Sequence, residues 1–179
     1  HVDGAYGGPA MLCNETRELF NGVEKADSFT VDPHKWLFAP FDCAALIYKD
    51  PTIARAAHSQ HAEYLDAVTE TPDWNPSDYA HHLTRRSRGL PFWFSLVVHG
   101  TDAYKKAISH CIEITKKAAS LINMSDHCET VIDPQLSVVL FRRKGWDKEQ
   151  YYAWSQHMLD IEYAFVVPTT YKGETVLRF

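Results

Sequence analysis

The densest cluster of reactive side chains in the sequence is Ser28-Phe29-Thr30-Val31-Asp32-Pro33-His34-Lys35-Trp36-Leu37. A lysine set between a histidine and a tryptophan, with apolar residues nearby, is out of character for a side chain that seeks water. Burial disfavours an ammonium ion and leaves a nucleophilic amine at neutral pH. Such an amine condenses with an aldehyde to a Schiff base. Lys35 is therefore a candidate covalent handle, the alternative being a lysine that snorkels to solvent from the end of a strand. Ten histidines raise the question of a metal, but no H-E-x-x-H pair or Cys/His knuckle is present. His58 and His61 at helical spacing and the adjacent His81 and His82 read as solvated side chains, and metal chemistry is set aside.

The elements that must position Lys35 are short. His1 to Asp3 reads as the tail of a strand, cut off by Gly4, Gly7, Gly8 and Pro9. Asn14 to Phe20 is expected as a short helix ending at Asn21-Gly22, and Ser28 to Val31 as a strand that Asp32-Pro33 breaks. Cys43 to Tyr48 is a compact apolar run of the kind that forms a buried strand. Residues 50 to 80, with prolines at 51, 72 and 76 and a polar run from Thr69 to Asp78, read as a long irregular loop of the sort that carries function. Pro91 to His99 is expected as a buried helix. Thr101 is a plausible N-cap for a longer one, because Tyr104, Ala107, Ile108, Cys111, Thr115, Ala118, Ala119 and Ile122 follow at steps of three and four. Strands at Ser137 to Phe141, Tyr163 to Val167 and Thr175 to Phe179, a helix near Lys148 to Met158 and a turn at Lys172-Gly173 complete an α+β ending.

The 179 residues carry 18 basic and 23 acidic side chains, a formal charge of −5. That balance argues against a nucleic-acid partner, which requires a basic face. No apolar run is long enough to span a bilayer, so no membrane partner is expected. Four cysteines without a C-x-x-C do not make a disulfide scaffold and suit a reducing, cytoplasmic compartment. Both ends read as cut, and a piece of a longer polypeptide is expected.

Ser28-Phe29, then Lys35-Trp36-Leu37, Phe41, Cys43, Leu46 and Lys49 together resemble the signature of the pyridoxal-phosphate-dependent group II decarboxylases, which act on aromatic amino acids, histidine, tyrosine or glutamate. The opening His1-Val2-Asp3-Gly4-Ala5-Tyr6-Gly7-Gly8 is similar to a second fingerprint of that family. Arg85-Arg86-Ser87-Arg88 running into Phe92-Trp93-Phe94, and the final Val176-Leu177-Arg178-Phe179, resemble later segments in the right order. The resemblance implies an α/β protein: part of a fold-type I large domain over residues 1–90, then an incomplete small α+β domain over 91–179. It implies pyridoxal 5′-phosphate as cofactor, held as a Schiff base on Lys35, and decarboxylation of an L-amino acid to its amine.

The resemblance assigns further roles. Asp3 would pair with the pyridine nitrogen and keep it protonated, so that the ring serves as an electron sink; a turn-forming carboxylate is the alternative. Ala5 would lie against one ring face. His34 would contact cofactor or substrate, or simply pack. Several relatives have asparagine at the phosphate where this chain has Asp32, whose charge would repel phosphate unless its backbone N–H makes the contact. Tyr79 would protonate the substrate carbon from a mobile loop, relatives with phenylalanine there tending to form aldehydes; a surface tyrosine is the alternative. Arg178 would bind a substrate carboxylate, or point outward from its strand. The partners implied are an amino acid and a second subunit of a homodimer, or the upstream segment that carries the rest of the cofactor pocket. A chain lacking that segment is expected not to decarboxylate alone. An aldehyde-forming oxidative deaminase and a non-catalytic interaction module are the competing readings.

Overall fold

The structure, a computed structural model, describes residues 1–59 and 75–179. Its contacts group into two compact units, 1–104 and 105–179, and both mix helix with sheet.

In the first unit three short strands, β1 (Val2–Asp3), β2 (Ser28–Val31) and β3 (Ala45–Tyr48), form a sheet in that order. β1 runs parallel to β2, with Asp3 opposite Thr30, and β3 returns antiparallel, with Ala45 opposite Val31. The crossover from β1 to β2 is not the helix expected over Asn14–Phe20. It is three 3-10 turns, Gly8–Leu12, Arg17–Phe20 and Val23–Lys25. The cause is local. Buried Thr16 turns its hydroxyl back to donate to the Ala10 carbonyl at 2.7 Å, a bond that competes with a continuous helix. Gly22, at φ 96°, then adopts a conformation that favours glycine.

The stretch from 50 to 80 is less irregular than its prolines suggested. Asp50 caps a helix, α1 (Pro51–His58), by accepting the Thr52 N–H at 2.9 Å, and Pro51 sits where a helix tolerates proline. Residues 60–74, including most of the expected polar run and His61, fall outside the described residues. From Asn75 the chain makes a 3-10 turn, Pro76–Tyr79, capped by the Asn75 side chain. The helix α2 (Gly89–Asn123) is broken at Gly100 by φ 73°, ψ 159°, as the expected pair of helices requires. Its first part is not buried, however: Trp93 and Phe94 are more than half exposed and Val98 is 73% exposed.

In the second unit, β4 (Cys128–Thr130), β5 (Leu140–Arg143), β6 (Pro168–Tyr171) and β7 (Glu174–Arg178) form an antiparallel sheet in the order β4-β5-β7-β6. Phe141, Leu177, Val166 and Tyr151 make its core, and Tyr151 comes from α3 (Lys148–Asp160). A reciprocal capping box between Asp147 and Gln150 starts that helix. Lys172 and Gly173 both have positive φ, 49° and 85°, as a two-residue hairpin demands. The strand expected at Tyr163–Val167 is absent. Its alternation is real, with Phe165 78% exposed and Val166 4% exposed, but the segment finds no ladder partner among the described residues, and pairing begins at Pro168 on the sheet's edge.

Candidate functional site

Because β1 and β2 are parallel neighbours, their C-terminal ends open on one edge, the place where open α/β sheets bind ligands. β1 brings Asp3 to that edge and β2 is followed at once by Asp32. One backbone bond ties the two turns beyond, the Asp32 N–H donating to the Ala5 carbonyl at 3.1 Å. Asp3 is exposed, and its Oδ1 accepts the Ala5 N–H at 3.0 Å. Its Oδ2 makes no hydrogen bond among the described residues.

Lys35 stands on a tight turn after β2. Its own N–H donates to the Asp32 carbonyl at 2.9 Å, and the Ala39 N–H closes on the Pro33 carbonyl at 3.0 Å. Trp36, Leu37 and Ala39 are buried, and Trp36 stacks on Tyr6 with ring centroids 5.2 Å apart. Lys35 does not follow them inward. Its side chain is 45% exposed and its Nζ lies 2.7 Å from Asp32 Oδ2. The expectation of an amine sheltered from water is therefore corrected. Successive side chains diverge in a turn, so the apolar neighbours take the interior while the ammonium keeps solvent and a counter-ion.

His34 is held by its ring. The Cys43 N–H points at Nδ1 from 3.0 Å, the Cys43 carbonyl lies against the same atom, and the Phe41 ring packs edge-on with centroids 5.0 Å apart. Its Nε2 is 4.0 Å from Asp32 Oδ2. Cys43 itself is buried, and its thiol is pushed above the ordinary range by burial first and then by the charges of Asp42 and Asp32.

Asp3, Ala5, Asp32, His34 and Lys35 are thus brought together on one sheet edge, while Tyr79 and Arg178 stand on other elements. Tyr79 ends the turn Pro76–Tyr79, which is anchored rather than loose: Asp78 beside it is buried and meets Arg55 Nε of α1 at 3.0 Å. Arg178 is the last residue of β7, exposed and opposite Leu140.

Sequence reasoning missed three residues. Asp42 accepts from Arg86, and at 2.9 Å from Arg88 Nε. These two guanidinium groups, Arg88 foremost, hold its carboxyl down at about 2. Three arginines within four residues signal a need for acid partners, but nothing in the sequence shows that the partner lies more than forty positions upstream.

An amine within reach of solvent after β2, and a carboxylate and a half-buried alanine at the end of the adjoining β1, suit an aldehyde-bearing pyridine. Comparison with known proteins agrees. The model of the pyridoxal-dependent decarboxylase conserved domain matches residues 1–144. The aromatic-L-amino-acid decarboxylase of Mus musculus is 34% identical over the whole chain, which covers 38% of that protein. The phenylacetaldehyde synthase of a Rosa hybrid cultivar is 34% identical over 79% of the chain and 28% of its own length. The crystal structure of Oryza sativa TDC with PLP and tryptamine superposes with a TM-score of 0.91 at 28% identity, over all of this chain and 39% of that one.

The pyridoxal-dependent decarboxylases are the class to which these likenesses point. The chain belongs to the pyridoxal-dependent decarboxylase family, and the expected cofactor, pyridoxal phosphate, comes with that membership. The chain spans less than two fifths of the length of these relatives.

Proposed function

We propose that the protein carrying this chain decarboxylates an L-amino acid to the corresponding amine, and that aromatic amino acids are the first substrates to try, given the relatives. The observation that supports the reading best is the Asp32 to Ala5 backbone bond at 3.1 Å. It locks the start of the turn that carries Lys35 to the turn that follows Asp3. Residues 1 to about 90 then act as the end of a cofactor-binding large domain and the remainder as most of a smaller one, in a cytoplasmic homodimer. No helix among the described residues is long and apolar enough to cross a membrane.

Pyridoxal phosphate, when bound, supplies an electron sink for the pair of electrons left on the substrate carbon as carbon dioxide departs. Lys35 would hold the cofactor covalently through Nζ. Asp3, through Oδ2, accepts a hydrogen bond from the pyridine nitrogen and keeps the proton there, where a neutral ring would be a weaker sink. Ala5 covers one ring face, since a larger side chain would occupy that space. The backbone N–H of Asp32 is given to the Ala5 carbonyl, so Asp32 serves as counter-ion to Lys35 rather than as a phosphate contact, and His34 borders the cofactor. Tyr79 delivers a proton from its hydroxyl to the substrate carbon.

The test uses the natural full-length protein with pyridoxal phosphate and L-amino acids. A visible absorption band and carbon dioxide release are expected, both lost in Lys35→Ala. A band that survives Lys35→Ala would falsify the assignment of the amine.

A further inference from the structure

We propose that Asp42, clamped by Arg86 and Arg88, is a positioning residue that fixes the His34 ring beside Lys35. While Nε2 faces Asp32 Oδ2 at 4.0 Å, the contacts on Nδ1 and on the ring edge come from residues 41–43, the Phe41 edge and the N–H and carbonyl of Cys43. Those three residues belong to the loop between the lysine turn and β3, and a loop has no ladder to hold it. Asp42 sits in its middle, with one carboxylate oxygen on Arg86 and the other on Arg88 Nε at 2.9 Å. Two oxygens on two separate cations fix the carboxylate's direction as well as its place. The neighbouring Cys43 peptide is thereby fixed too. The segment that begins with Arg85 thus reaches back more than forty residues to the lysine turn, through Asp42, Cys43 and His34 in succession.

The clamp stands throughout the neutral range, because the carboxyl of Asp42 titrates near 2. A ring held at Nδ1 by one peptide keeps one orientation and one face toward its neighbours. When the clamp is removed the ring turns freely about its side-chain bonds, and Lys35 loses a fixed neighbour on its N-terminal side.

The consequence for cofactor binding rests on the function proposed above, whereas the consequence for the imidazole does not, so the experiment reads both. In the natural full-length protein with nitrogen-15-labelled histidine, the His34 signals are assigned by comparison with His34→Gln. The natural protein is expected to show one sharp set of ring-nitrogen signals for His34, and Asp42→Ala shifted and broadened signals from a ring that turns. The visible band on titrating with pyridoxal phosphate should half-saturate at about 10-fold higher concentration or more in Asp42→Ala. Asp42→Glu should recover part of both effects, which general loss of packing would not allow. If Asp42→Ala fails to fold, Asp42→Asn and Arg88→Gln each weaken one leg of the clamp and give the same readings in smaller measure. Unchanged His34 signals in all the folded variants overturn the proposal. A changed ring with unchanged cofactor binding overturns its second half. Absence of a Lys35-dependent band in the natural protein counts against the proposed function alone, since the imidazole reading still judges the clamp.

Discussion

The contact between Lys35 Nζ and Asp32 Oδ2 at 2.7 Å has a direct bearing on how the amine meets an aldehyde. The carboxylate engages the nitrogen, so the pair must open before a carbon–nitrogen bond forms, and the same negative charge opposes an approaching phosphate. Asp32→Asn keeps the backbone N–H that bonds Ala5 and removes the charge. The variant is expected to develop the visible band faster than the natural protein at equal pyridoxal phosphate, by stopped-flow absorbance; an equal or slower rise would show that the pair does not limit loading. The role of Tyr79 is tested by its own hydroxyl. Tyr79→Phe retains the ring and removes the proton donor, so the amine product should fall by about 10²- to 10⁴-fold, with aldehyde, ammonia and hydrogen peroxide, formed at the expense of dissolved dioxygen and water, taking its place in the product assay. Undiminished amine formation would make Tyr79 a surface residue. Lys35 also marks a limit of reading sequence. Its apolar neighbours were visible, and Trp36 and Leu37 are buried as they imply, yet the inference that the lysine shares their environment failed. Composition averages over a turn, whereas the turn itself sends adjacent side chains in different directions.

Elements were legible where their cause was local. The Lys172-Gly173 hairpin, the helix after Asp147 and the break at Gly100 are each set by one or two residues whose conformational preferences act within a few positions. The helix α1 went unread because Asp50-Pro51 resembles a loop until the Asp50 side chain is seen capping Thr52. Tyr163–Val167 alternates like a strand but lacks a neighbour to pair with among the described residues, and the Asp42 clamp depends on partners more than forty residues away; no local pattern announces either. Two predictions concern such long-range ties. The carboxyl of Asp42 is depressed from the ordinary 3.8 to about 2, so its clamp favours the folded state above 3.8 and that contribution fades as pH falls toward 2. The stability advantage of the natural protein over Asp42→Asn should accordingly shrink on acidification through that window, measured as the gap between their urea midpoints. A gap that widens in acid would reverse the sign and exclude the clamp as the source. Asp78 and Arg55 are a similar tie between α1 and the Tyr79 turn. Arg55→Ala leaves a buried carboxylate without its cation, a loss of about 1–3 kcal/mol once water reaches a pair whose arginine is half exposed. Limited proteolysis should then cut near 75–80 sooner than in the natural protein, and an unchanged cleavage rate would mean that the turn is held by other contacts.

At the scale of the whole chain, apolar surface is left facing water in an ordered way. Leu90, Trp93, Phe94 and Val97 fall at helical steps of three and four on the first part of α2, and they are 48%, 55%, 53% and 62% exposed. In the same unit a cavity of about 470 Å³ is walled by Phe29, Val31, Leu37, Ile47, Phe92 and Leu96. Isolated exposed apolar residues are ordinary, but a stripe of large ones beside an apolar cavity marks a surface suited to contact with protein. The 179 residues cover 38% of the murine relative, and a pocket that is preorganised for catalysis needs all of its walls. The chain produced by itself should therefore associate with concentration in light scattering after size exclusion, bind a hydrophobic dye, and release no carbon dioxide from L-amino acids above the uncatalysed background. Replacing Trp93 and Val97 by lysine places charge at the centre of the stripe without disturbing a buried position. The double variant should shift the association to higher concentration while leaving the helical circular dichroism in place. A natural chain that remains monomeric at every concentration, or one that turns over an amino acid unaided, would show that this surface and this pocket are already sufficient as they stand.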